Sequence, residues 1–171
     1  MLLQSILKEE TPLVRPMSAP LDAVVDRLLK RFSGHLVAVA LFGSAARGEA
    51  TKESDLDFLV VLRGVPKSLE RRYEIYRPIR DALTMQSPKV RDVTAIDLDE
   101  EFINDEDAEI TPLMLNIASD ATILYDPKGQ LTSFLRRVQR LIKVGELERY
   151  RTKDGKYGWK PKRGALQAIE A

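Results

Sequence analysis

The chain has 171 residues, a formal net charge of +1, and hydrophobic and charged fractions of 44% and 31%, the balance of an ordinary globular domain. It contains no cysteine and a single histidine, His35. Disulfides, thiolate zinc sites, cysteine nucleophiles and multi-histidine metal centres are therefore excluded, and any metal must sit on carboxylates, whose hard oxygens suit Mg²⁺ or Mn²⁺.

Residues 1–19, with Pro12 and Pro16, read as an irregular arm. Their early charges, Lys8, Glu9 and Glu10, argue against a secretory signal, so a cytoplasmic location is expected. Residues 21–32 (LDAVVDRLLKRF) put Leu21, Val24, Val25, Leu28 and Leu29 on one helical face, closed by Ser33-Gly34. Residues 36–42 (LVAVALF) and 57–62 (DFLVVL) are apolar runs of strand length. No apolar run approaches the ~18 residues of a membrane span. Pro66 is expected to open a long helix over 67–86, ended by Ser87-Pro88, with Pro78 kinking or dividing it. A third strand is predicted over 90–96 (VRDVTAI), and Asp97 with Glu100 offers a capping box for a short acidic helix over 98–104. Residues 112–118 read as helix, 122–125 as a short strand and 131–143 as an amphipathic helix. Asp154-Gly155 reads as a two-residue hairpin turn.

This order indicates the α+β class: a small mixed sheet with helices packed mainly on one face. The expected organisation is the arm (1–19), a core (20–109), and a C-terminal helical and hairpin extension with a basic tail (110–171) packing on the core. Residues 92–109 are acidic and 128–163 strongly basic. The basic segment fits a polyanion such as nucleic acid, or simply a solvated surface. Tyr157 and Trp159, among Lys153, Lys156 and Lys160, fit either base stacking or the packing face of a hairpin. His35, at the start of a strand, reads as structural.

The chemistry concentrates between residues 41 and 62. After the first strand, Gly43 and Ser44 stand at a tight turn; if a helix starts there, its free backbone N–H groups face the turn and suit phosphate. Gly43 allows close approach and the Ser44 hydroxyl adds a donor. Asp55 and Asp57, two apart at the start of a strand, project to one side. Side by side they repel unless cations lie between them, and Mg²⁺ is commonly held by one or two carboxylates plus substrate phosphates. Two such ions would clamp the attacking and leaving oxygens of a displacement. Asp92 interrupts an otherwise apolar strand, on the side of Thr94 and Ile96, and is the candidate third carboxylate, a metal ligand or proton acceptor. Each feature also has an ordinary reading: a plain strand-to-helix turn, turn chemistry before a strand, and an edge aspartate facing water.

Taken together, GSAARGEATKESDLD (residues 43–57) resembles the G-S…D-x-D signature of the nucleotidyltransferase superfamily (DNA polymerase β-like). With Ala46-Arg47-Gly48 and Ser54 in place, it is similar to the minimal branch of that superfamily. The resemblance implies Gly43 and Ser44 for nucleotide phosphates, Asp55 and Asp57 for two Mg²⁺ (or Mn²⁺) ions, Asp92 as the third acid, and Arg47 as the basic residue near the triphosphate. For Arg47 a surface salt bridge is the competing reading. The implied reaction moves NMP, with AMP foremost, from an NTP such as ATP to an acceptor hydroxyl, releasing pyrophosphate. Protein AMPylation, as by a toxin's antitoxin, and modification of an RNA 3′ end lead among the acceptors, with small molecules also open. The rival function is a non-catalytic nucleotide-binding or antitoxin-like interaction module with the same fold.

Overall fold

Strand β1 (Leu36–Phe42) is buried along its whole length. A strand with no polar face needs cover on both sides of its sheet. The computed structural model describes residues 19–51, 54–86 and 92–162 and supplies that cover. The elements in chain order are α1 (Ala19–Arg31), β1, α2 (Gly43–Arg47), β2 (Leu56–Leu62), α3 (Leu69–Gln86), β3 (Val93–Asp99), α4 (Glu100–Asn104), α5 (Pro112–Asp120), β4 (Thr122–Tyr125), α6 (Gln130–Val144), β5 (Leu147–Arg151) and β6 (Tyr157–Pro161).

The main sheet runs β3-β2-β1-β4. β1 is antiparallel to β2 and β4, while β2 and β3 are parallel and joined through α3, the long crossover that a parallel pair requires. The small mixed α+β sheet expected from the sequence is therefore what forms. Its helices, expected mainly on one face, cover both. Val39, Leu41, Phe58, Val60 and Leu62 meet Val24, Val25 and Leu28 of α1 and Ile75, Ile79 and Ala82 of α3. Ala40, Phe42, Leu59 and Val61 meet Leu115 and Ala118 of α5 and Leu131, Phe134, Leu135 and Val138 of α6. The reason is already in LVAVALF: alternate residues point to opposite sides, and both sets are apolar. Burying each such Val, Leu or Phe favours folding by roughly 1.5–3 kcal/mol.

β4 lies beside β1, so a boundary at residue 109 would cut a strand from the main sheet. The expected arm, 1–19, falls outside the described residues except for Ala19, which opens α1. α3 starts at Leu69, with Ser68 Oγ accepting from the Arg71 N–H at 2.9 Å, rather than at Pro66. Pro78 lies inside α3 without dividing it; Ile75, Ile79 and Ala82 bury the turns around it. β3 continues to Asp99, so Asp97 belongs to a strand and is no helix cap. Its carboxylate instead meets Arg71, which is 2% exposed and bonds Asp97 and Asp99 at 2.8 Å each. The hairpin loop is one residue longer than expected: the Thr152 N–H donates to Lys156 O, leaving 153–155, with Gly155 at φ +81. No helix among the described residues is long and apolar enough to cross a membrane.

Candidate active site

β1 ends at Phe42, which pairs with Asp57 of β2. The chain then turns at Gly43, whose φ is +72. A Cβ added to Gly43 would lie 2.2 Å from Asp57 Oδ2 and 3.2 Å from its Cγ. Glycine is thus required twice, for the left-handed backbone and for the space. From that turn starts α2, and it stops at Gly48, in the left-handed conformation at φ 74. Ser44 is half-buried at the same corner.

Asp55 is exposed just before β2, and Asp57 is half-buried within it. Burial pushes the Asp57 carboxyl above its usual range; the charge of Asp55 pushes the same way, and Arg47 pulls it back. Two adjacent carboxylates, one of them partly desolvated, form a donor set whose negative charge Arg47 offsets only in part, and a hard divalent cation would supply the rest.

Asp92 precedes β3 and its carbonyl accepts from the Leu56 N–H at 2.9 Å. The register Leu56↔Val93 sets it level with Asp55, at the same end of the sheet. Its side chain is exposed, and its charge acts on the Arg80 guanidinium. Among the described residues no three acids are arranged to hold a metal ion. The fold thus unites Asp55, Asp57 and the Gly43-Ser44 turn, and brings Asp92 to their end of the sheet without closing a three-carboxylate group.

Arg47 points elsewhere than at open solvent. Its Nε donates to Glu49 at 2.9 Å and its Nη1 to Asp120 Oδ2 at 2.6 Å. Asp120, the last residue of α5, has a side chain 5% exposed and also takes both Nη atoms of Arg149, at 2.6 and 2.7 Å. Tyr157 lies 3.7 Å beneath the Arg149 guanidinium, and Trp159 Nε1 donates to Asn116 Oδ1 at 2.9 Å. These two aromatics form the packing face of the hairpin. The sequence reading missed Asp120 and Arg149. One signal was there: an acid closing a helix sits at the unfavourable end of its dipole unless a cation covers it. A 590 Å³ cleft between α1 and α3, walled by Arg27, Lys30, Tyr73, Arg77 and neighbours, includes none of the three aspartates.

A family profile, the nucleotidyltransferase domain, matches residues 21–125, the stretch that carries the whole four-stranded sheet and the glycine-serine turn. The chain belongs to the nucleotidyltransferase family. One relative is a protein of Methanocaldococcus jannaschii provisionally named a protein adenylyltransferase; it is 29% identical over 126 residues, covering 72% of this chain and 81% of the relative. Among solved structures, a toxin–antitoxin structure with AMP-PNP is similar at a TM-score of 0.50 and 19% identity, covering 72% of this chain and 87% of the other. That likeness is one of nucleotidyltransferase fold.

Proposed function

We propose that this nucleotidyltransferase moves AMP from ATP to a hydroxyl on a protein, releasing pyrophosphate. The observation that carries the reading is the contact of Gly43 with Asp57, which joins the glycine-serine turn to a partly buried carboxylate pair. The name of the archaeal relative favours a protein acceptor over RNA. The triphosphate would rest on the backbone N–H groups and hydroxyl of Gly43-Ser44, with Arg47 lending positive charge nearby. Asp55 and Asp57 would hold Mg²⁺ (or Mn²⁺), with Asp92 as further ligand or proton acceptor. The ions, when bound, neutralise charge on the attacking and leaving oxygens. The acceptor oxygen bonds to the α-phosphorus as the bond to the β-phosphate oxygen breaks, and the hydroxyl proton passes to Asp92. A cytoplasmic setting, where ATP is plentiful, suits this reaction.

The test is transfer of label from ATP carrying a labelled α-phosphate, with Mg²⁺, to proteins and RNAs of the source cell. Labelled protein that disappears with Asp55→Ala supports the proposal. Labelled RNA alone would move the acceptor class, and no transfer to either would end it.

A second reading, a nucleotide-binding or antitoxin-like interaction module, draws on one observation: the described acids do not close a three-ligand group. Nucleotide binding without transfer in the same assay would identify it.

A further inference from the structure

Two arginines from distant parts of the chain share one nearly dry carboxylate. Arg149 of β5 grips both oxygens of Asp120, and Arg47, the last residue of α2, takes Oδ2 as well. The Tyr157 ring faces both guanidiniums, 3.7 Å from that of Arg149 and 4.7 Å from that of Arg47. A carboxylate 5% exposed at the C-terminal end of a helix needs cationic partners, and a two-pronged arginine contact fixes direction as well as charge. The consequence reaches the turn. α2 has five residues, too few to hold a helical orientation unaided, and Arg47 is four residues from Gly43. Buried Ala46 seats α2 on the core, and fixing Arg47 at its end helps to fix the turn.

Resting on the nucleotide-binding reading above, we propose that Asp120, Arg149 and Tyr157 are positioning residues of the nucleotide site: through Arg47 they hold α2, and with it the N–H groups of Gly43-Ser44, in register with Asp57. The C-terminal hairpin, outside the stretch that matches the family, thereby becomes part of the site's support.

The probe is ATP with Mg²⁺, titrated against the full chain. Trp159, the single tryptophan, has its ring 5.9 Å from the Arg149 guanidinium, so its emission reports on the network. Wild type is expected to change Trp159 emission on ATP addition. Arg149→Met should weaken ATP binding about tenfold, the lower end of what loss of a supporting residue costs a ligand site, and lose the emission change. Arg149→Lys keeps the charge without the fork and should fall between; it also decides the matter if Arg149→Met does not fold. Lys160→Gln, on the same hairpin but paired with Glu148, should bind as wild type does. Folded Arg149 variants with wild-type affinity and emission response would overturn the inference alone, as would an equal loss in Lys160→Gln. A wild type that binds no nucleotide would overturn the function proposed above, and this inference with it.

Discussion

Gly43 and Asp57 stand so close that the smallest side chain cannot fit between them: a methyl group on Gly43 would sit 2.2 Å from the carboxylate oxygen. Gly43→Ala must move the turn or the aspartate. Either movement separates two groups whose value lies in their relative position. Stability should drop modestly, by about 1–3 kcal/mol for a non-glycine residue held at positive φ. Nucleotidyl transfer should drop far more, by roughly a hundredfold for an ångström-scale misplacement. Thermal melting alongside the labelled-ATP assay separates the two; a variant with normal transfer would refute the assignment of this corner.

Asp57 should behave as a residue that costs stability in exchange for function. Its carboxyl is pushed up by burial and by Asp55, so folding favours the protonated form. Its favourable contribution is full below the unfolded value, near 3.8, and is lost as pH rises through the higher folded value. At neutral pH and without metal, ionised Asp57 is therefore a burden. Asp57→Asn should melt higher than wild type in EDTA at pH 7 and lose transfer. Adding Mg²⁺ should raise the melting point of wild type and leave the variant where it was.

Arg71 carries a different load. It is almost fully buried and answers both Asp97 and Asp99. Removing it takes from Asp97 its ion-pair partner and leaves Asp99 with Lys67 alone, in a partly desolvated setting, a loss of about 3 kcal/mol. Arg71→Met should thus unfold at markedly lower denaturant, and adding Asp97→Asn should recover part of the loss. A single variant as stable as wild type would show that the cluster contributes nothing net.

Glu100 sets part of the acid limit. Hydrogen bonds from Arg63 and then from Gln130 Nε2, at 2.8 Å, hold its pKa at about 2 against a usual 4.5. A lowered pKa stabilises the fold above the unfolded value, and that help fades as pH falls from 4.5 toward 2. Glu100→Gln should flatten the decline of stability across that window, measured by denaturant melts at stepped pH. A slope identical to wild type would remove Glu100 from the account.

The amino-acid order alone determined the strands LVAVALF and DFLVVL, the glycine-serine turn after one and the aspartate pair at the start of the other. These are local matters: burial run, backbone freedom and spacing are written in neighbouring residues. It also carried the amphipathic faces of α1 and α6, whose periodicity holds over several turns. Where local chemistry offered two answers, the sequence alone did not choose between them. Asp97 looks like a helix cap until Arg71, 26 positions earlier, is seen to claim it within β3. For Arg47 the sequence left phosphate contact and salt bridge both open, and in the fold Asp120, 73 positions on, supplies a salt bridge. Such pairings join residues whose sequence separation gives no periodic signal; only strand order and helix docking bring them within hydrogen-bond reach. The same holds for the hairpin braced against α5. Local residue chemistry set out the candidate groups, and tertiary packing decided which charged partners stand beside them.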